Sequence, residues 1–534
     1  MSKNSLPAQP VLIAGQWRPA QSRGIFHAEN PATGDRLPGD FPVSAWADCD
    51  DALKAATGAA SLLRTAPPEQ IARFLTRFAE RIEARKSEIV EMAHLETALP
   101  KSPRLAEVEL PRTTSQLRQA AAAALEGSWA LPTIDTQLNI RSMLAPLGPV
   151  CVFGPNNFPL AFNSVAGGDF AAAIAAGNPV LAKANTSHPG ASRLLAEEAL
   201  AAVTEAGLPP ATVQLLYRTS HADGERLAAD PRAAALAYTG GRGAGLRLKA
   251  AADKAGKPVY VELSSVNPVL FLPGALARRG AKLAEEFTAS CLMGTGQFCT
   301  RPGFVVLLAG DAAEQFIAAT KQKLEAVPPT PLLSSNVRSA LDESVQTLRS
   351  AGAEVVCGGS PLPGPGFRFA NTLLRVSGAR FLAEPDKLQT EAFGNAALVV
   401  VARDAGEASA VLVRLEGSLT GCVYSDTGGS DDALYDQLAP LLRSRVGRLL
   451  NDKMPTGVAV SPAMNHGGPF PATGHPGFTS VGIPASLRRF AALHCYDNVR
   501  PARLPAALQN QNPNGTMWRL IDGVWTRNDA GLSS

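Results

Sequence analysis

The sequence predicts an α/β protein with two parallel-sheet domains and a smaller accessory element. Three observations predict it. Short apolar, β-rich runs alternate with helical patterns from 149 to 263. A second alternation begins near Ala281 and runs to about Gly457. Two segments, about 133–148 and the tail beyond about Gly482, match neither alternation. At 534 residues the chain is also too long for a single hydrophobic core.

The first part, to about Pro132, reads as mostly helical. PPEQIARFLTRFAERIEARKSEIVEMAHLETALP carries apolar residues at three- and four-residue steps, with Glu and Arg on the other face, between Pro67 and Pro100. PVCVFGP (149–155) is then a strand ending in Gly-Pro, and PLAFNSVAGGDFAAAIAAG after it has a helical texture. PVLAKA (179–184), an Ala-rich helix (190–206), VQLLY (213–217), AALAYTGG (234–241) and PVYVEL (258–263) continue the series. Strands joined through helices pair in parallel, and ligands bind at their carboxyl ends. FVVLL (304–308), LVVVA (398–402) and GCVYS (421–425) are strands of the second unit. The tail, with CYDNV and NPNGTMWRL, is too polar for a core and reads as a segment that packs on a neighbour such as a second subunit.

Charged residues make up 18% and apolar residues 46%, with a net charge of +3 and no long block of Lys or Arg. This describes a folded enzyme-like chain and argues against nucleic acid or a membrane surface as the main partner. The N-terminus, MSKNSLPAQPVLIAGQW, lacks a basic region followed by a sustained apolar run, and no stretch of about 18 apolar residues follows. No membrane span is expected. Cys49, Cys151, Cys291, Cys299, Cys357, Cys422 and Cys495 are scattered and odd in number, as expected of reduced thiols in the cytoplasm. The histidines do not pair with cysteines at zinc spacing, so no metal is expected.

Several short stretches can carry chemistry, and each has two readings. YTGGRGAG, with Gly240 and Gly245, follows a strand and precedes a helix; it is a phosphate-binding turn or a tight turn. Lys183 ends a buried strand, as a solvated cation or as one placed for a ribose or phosphate. Glu262 in PVYVEL is a general base whose pKa burial would raise, or a carboxylate capping a helix. Asn156 and Asn157 in FGPNNFP are N-caps or amide donors for developing negative charge. Cys299 in GTGQFCTRPG sits among small and polar neighbours, not in the apolar setting usual for a cysteine.

In this order the elements resemble the aldehyde dehydrogenase superfamily, over nearly the whole chain. The resemblance runs from HLETALP through FGPNNFP, VLAKA, YTGGRGAG, VYVEL, GQFCT and QTEAFG to TSVG, with the cysteine 37 residues after the glutamate. NFPLAFNSVAGGD, SHPGAS, VNPVLFLPGAL, GQFCTRPG, NHGGPFPAT and CYDN…NPNG look like the 2,5-dioxovalerate (α-ketoglutarate semialdehyde) dehydrogenases. Their relatives include a bacterial long-chain aldehyde dehydrogenase.

The resemblance implies a Rossmann-like cofactor domain (1–132 and 149–263) and a catalytic domain (264–457). It further implies an oligomerisation element and tail (133–148 and 482–534) in a homodimer or homotetramer. It implies that Cys299 is the nucleophile, that Asn157 and the Cys299 backbone N–H hold the oxyanion, and that Glu262 activates water. Glu391 and Phe393 fall where the family holds the nicotinamide ribose and ring. Phe162, Phe298, Arg301 and His466 are substrate-tunnel candidates. Arg301 is read either as a carboxylate attractor or as a solvated cation. NAD-preferring relatives carry an acid three residues after the strand-end lysine. Thr186 stands there, which leans the reading to NADP with NAD open, Lys183 and Arg242 supplying cations. Two serines, Ser264 and Ser265, replace the two glycines that many relatives have after the catalytic glutamate. The competing readings are a non-catalytic protein on this fold and a cysteine hydrolase. The latter would need a histidine beside Cys299, a position that sequence spacing assigns to none of His188, His221 or His466.

Overall fold

The computed structural model describes residues 8–531. The runs VCVF, VLAK, VQLL, ALAYT and VYVE become strands Val150–Phe153, Val180–Lys183, Val213–Leu216, Ala235–Thr239 and Val259–Glu262. They pair in parallel in one seven-stranded sheet, whose far edge is the antiparallel hairpin Val11–Ile13 and Gln16–Arg18. Helices cover this sheet on both faces, so its strands are apolar throughout instead of alternating. In helix Pro68–Ala84 the buried face is Ile71, Ala72, Phe74, Leu75, Phe78, Ala79 and Ile82, the three- and four-residue spacing read from the sequence. Each large side chain buried this way contributes roughly 1.5–3 kcal/mol before entropy is counted.

A second seven-stranded sheet is built from Pro268–Phe271, Phe304–Leu308, Thr372–Ser377, Ala396–Ala402, Ser418–Tyr424 and Val446–Asn451 in parallel, with Glu354–Cys357 antiparallel at one edge. The two segments that fit neither alternation join each other. Thr133–Asp135 and Ile140–Pro146 lie in one five-stranded sheet with Ala491–Asp497, Arg519–Ile521 and Val524–Thr526. Its polar composition is explained by Arg141 and Arg519, both buried, which spend their guanidinium groups on carbonyls such as Leu508 O, Gln509 O and Asn528 O.

One expectation changes. The stretch PLAFNSVAGGDFAAAIAAG is not one helix: only Gly168–Ala175 is helical, and residues 159–167 are turns. The Glu109 carboxylate accepts the Leu160 and Ala161 N–H groups, and Asn163 bonds Pro159 O and Val165 N–H. These bonds offer the backbone an alternative to the helix ladder. Asn156 and Asn157 therefore cap no helix. The turns keep them at the carboxyl end of strand Val150–Phe153.

Candidate active site

Glu262 is the last residue of the first sheet's edge strand. Segment 472–474 covers that edge, through Leu263 N–H to Ala472 O and Gly474 N–H to Val261 O. The same covering segment brings His466 and Ser480 onto the carboxylate. His466 Nε2 lies 3.1 Å from Glu262 Oε1, and Ser480 Oγ–H donates to Oε2 at 3.1 Å. Thr479 Oγ1 accepts the His466 backbone N–H, so the TSVG motif orients both residues.

Cys299 reaches this pair from the other domain. Helix Pro273–Leu292 ends, and Gly294, Thr295 and Gly296 follow with φ of 58°, 57° and 69°. Two glycines make this left-handed run accessible. A side chain at Gly296 would strike the Gly394 carbonyl, and one at Gly294 would come within 2.7 Å of the Phe298 ring. The turn delivers Cys299 Sγ to 3.4 Å from His466 Nε2. Asn267, itself at φ 49°, anchors the loop by donating to Cys299 O at 2.8 Å and Arg301 O at 2.9 Å. Asn157 Nδ2 donates one hydrogen to Gln297 O at 2.9 Å, which leaves its second hydrogen free. Cys299, Glu262, His466 and Asn157 are thus brought together from four separate parts of the chain.

The electrostatics differ from the sequence reading. Burial alone would raise Glu262, but His466 and the Ser480 hydroxyl outweigh it and hold the carboxyl below its usual range. The expected upward shift is corrected: this is an ionised carboxylate with bound donors. Burial and the adjacent Glu262 charge push the Cys299 thiol well above its ordinary value, opposed by the Arg112 guanidinium. Glu391 is pushed up to about 7 by burial, with Arg301 opposing.

The site is also approached by two cavities. One, of about 300 Å³, lies at the carboxyl ends of the first sheet and is lined by Lys183, Asn156, Gly240, Gly241, Glu225 and Arg247, among others. Gly241 precedes helix Arg242–Lys254, whose N-terminal N–H groups face an anion well. Burial pulls Lys183 down to about 8, with Arg218 adding to the shift. Glu225 pairs with Arg247 at 3.5 Å, and no carboxylate among the described residues pairs with Lys183. The other cavity, of about 250 Å³, is lined by Ser264, Ser265, Glu391, Arg242 and Glu416.

A sequence profile of the aldehyde dehydrogenase family matches residues 17–440. The chain belongs to the aldehyde dehydrogenase family. It is 37% identical to alpha-ketoglutaric semialdehyde dehydrogenase 2 of Azospirillum brasilense, over 96% of this chain and 98% of that one. It is 35% identical to an alpha-ketoglutaric semialdehyde dehydrogenase of Acinetobacter baylyi, over 90% and 92%. The fold is shared with aldehyde dehydrogenase C of Pseudomonas syringae, solved with NAD+ and octanal, at a TM-score of 0.79 and 22% identity over 93% and 98% of the chains. The reaction of this family is the oxidation of an aldehyde to a carboxylic acid with a nicotinamide dinucleotide.

Within this aldehyde dehydrogenase several sequence expectations move. Arg301 is not a solvated cation. It is 2% exposed and donates to the carbonyls of Ala392 and, at close range, Ala396, holding the turn that carries Glu391. Arg242 faces Glu416 at 2.8 Å in the second cavity, away from Lys183. Gly245 is a packing glycine, since a side chain there would strike Leu263 and Tyr238. Thr186 and Phe393 are partly buried and on the wall of neither cavity. Phe162 and Phe298 join Phe158 in an aromatic cluster beside the site, with ring centroids 5.2 and 5.1 Å from Phe158. His466, read as a tunnel residue, contacts both reactive groups. The histidine required by the hydrolase reading is therefore present, although the family decides for the dehydrogenase. The sequence reading gave no role to Ser480, Asn267 or Arg112, although Ser480 lies in TSVG and Asn267 in VNPVLFLPGAL.

No helix among the described residues is long and apolar enough to cross a membrane.

Proposed function

We propose that this dehydrogenase oxidises 2,5-dioxopentanoate to 2-oxoglutarate, with NADP preferred over NAD. The observation that carries the chemistry is the contact of Cys299 Sγ and Glu262 with one buried imidazole, at 3.4 and 3.1 Å. The substrate reading is supported by the activities for which the two relatives are named, at 37% and 35% identity over most of each chain.

The residues would act in sequence. The Cys299 thiol proton passes to the ionised Glu262–His466 pair, and the thiolate adds to the aldehyde carbon to give a thiohemiacetal. The free Asn157 amide hydrogen and the Cys299 backbone N–H, which bonds no other described residue, face the oxyanion. Losing one such donor costs about 3–4 kcal/mol of barrier. A nicotinamide bound in the cleft supplies the acceptor for the hydride leaving that carbon. Once the proton taken from Cys299 has passed on to solvent, Glu262 takes a proton from water as the water attacks the thioester carbon; the C–S bond breaks, and the His466 N–H hydrogen-bonds the departing thiolate.

The residues fit the dinucleotide. Lys183 and the Gly240–Gly241 turn would hold its ribose and phosphates, and Glu391 its nicotinamide ribose. NADP is favoured because no carboxylate among the described residues pairs with Lys183, and Thr186, three residues on, adds no negative charge. Roles follow for the remaining parts: the two large sheets as cofactor and catalytic domains, the five-stranded sheet as the oligomerisation element of a dimer or tetramer. A cytoplasmic site suits the free cysteines.

A second reading, a medium- or long-chain fatty aldehyde, is favoured by one observation, the apolar cluster of Phe158, Phe162, Phe298 and Val481. A panel of aldehydes, with kcat/KM for each cofactor, tests the proposal. It fails if 2,5-dioxopentanoate is a poorer substrate than alkanals of similar length, or if NAD is preferred.

A further inference from the structure

Three arginines border the aromatic cluster beside Cys299, and their hydrogen-bonding states differ. Arg104 stacks 4.5 Å over Phe158, but its charge is matched by a close pair with Glu109, and its remaining bond goes to Asn157 O. Arg448, on strand Val446–Asn451, donates to Pro455 O at 3.0 Å and reaches the Met464 sulfur. All three leave Nε buried without a partner among the described residues, but Arg112 differs at its terminal nitrogens: one donates to Val458 O at 3.0 Å, while Nη2 is buried and also bonds nothing among the described residues. No carboxylate among the described residues lies within ion-pair distance of it. Glu109, the nearby acid just before the helix that carries Arg112, is committed to Arg104 and to two backbone N–H groups.

A buried guanidinium with two unpaired donor atoms is costly unless something completes it. Its position says what. The Arg112 guanidinium lies 5.2 Å from the Phe162 ring centroid, and the His466 ring lies 6.1 Å from that same ring. The unpaired cation and the imidazole that contacts Cys299 therefore both neighbour the same aromatic ring. Arg112 also feels the Cys299 and Glu262 charges, which places it within electrostatic reach of the reacting carbon.

We propose that the unpaired edge of Arg112 is the carboxylate subsite of this enzyme. It receives the terminal carboxylate of a short oxo-acid aldehyde whose carbonyl is presented to Cys299. A planar guanidinium offering two N–H groups matches a carboxylate in a way that a point charge does not. The Phe158–Phe162–Phe298 wall packs the intervening carbons, and a long alkyl aldehyde would leave the cation unpaired. This inference rests on the substrate reading above and assigns its specificity to one residue on helix Leu110–Glu126.

The test measures kcat/KM for 2,5-dioxopentanoate, 4-oxobutanoate and pentanal in wild type, Arg112→Met and Arg112→Lys. Dinucleotide binding by fluorescence confirms that each variant is folded. The wild-type preference for carboxylate-bearing aldehydes over pentanal should fall about ten- to hundredfold in Arg112→Met, the range of a charged hydrogen bond. It should be restored in part by Arg112→Lys. A preference ratio unchanged in Arg112→Met overturns the subsite while leaving the substrate reading intact. Equal loss for all three aldehydes also overturns it, since the cation would then serve only the thiolate. If 4-oxobutanoate is the better substrate and its preference collapses in the variant, the subsite stands and 2,5-dioxopentanoate is the wrong occupant. A wild type with no preference for carboxylates defeats both.

Discussion

His466 Nε2 stands 3.4 Å from the Cys299 sulfur and 3.1 Å from the Glu262 carboxylate, so one N–H serves two groups that are anionic at different stages. When Glu262 is ionised and Cys299 is a thiol, the hydrogen belongs to the carboxylate. When the thiolate departs from the thioester, it can turn to sulfur. This sharing makes the histidine more than a wall of the substrate tunnel.

His466→Phe should move the acid limb of kcat to higher pH. Glu262 must be ionised to act as a base, and His466 is the main group holding its pKa down against burial. Without the imidazole the desolvation effect prevails, the pKa rises, and activity is lost at a higher pH on acidification. Profiles from pH 5 to 9 check this, and His466→Gln, which keeps an N–H donor, should restore part of the shift. A limb that does not move would show that Glu262 owes its ionisation to other groups.

Glu262→Gln should slow thioester release while a burst of reduced cofactor persists. The same substitution should move alkylation of Cys299 by iodoacetamide to lower pH, because the Glu262 charge is one of the groups that raise the thiol. Cys495 is exposed and would also be alkylated. The alkylation is therefore followed in a Cys495→Ser background. Cys299→Ala should abolish aldehyde oxidation while dinucleotide binding persists.

Thr186→Glu should reduce kcat/KM for NADP roughly tenfold to a hundredfold with little loss for NAD, the scale of about 1–3 kcal/mol of like-charge repulsion. Lys183→Ala should weaken NADP more than NAD. Cofactor ratios that stay constant in both variants would remove these residues from the ribose end of the cleft.

Arg301→Met should destabilise the fold by about 1–3 kcal/mol, the cost of leaving buried polar partners unpaired. The carbonyls left without donors are those of Ala392 and Ala396. Chemical denaturation measures it. Discrimination between carboxylate-bearing and alkyl aldehydes should be unaltered, in contrast to Arg112→Met.

The residues of the chemistry and most strands were legible in the sequence because they are local patterns. Val180–Lys183 and Phe304–Leu308 are apolar runs bounded by turns, and GTGQFCT announces a left-handed turn through its glycines. What the tertiary structure alone decided is which side chains meet. His466 is 204 residues from Glu262 and 167 from Cys299, and no periodicity encodes a contact at that separation. The direction of the Glu262 pKa followed from those contacts, since burial alone would have raised it. Arg301 and Arg112 show the same limit from opposite sides. Both are arginines near reactive motifs, and charge and spacing cannot tell them apart. One folds onto carbonyls of its own framework, and the other is left with unpaired donors beside the aromatic wall. A side chain's chemistry is a property of its residue type, but its partners are set by packing between distant segments, and only the folded chain determines them.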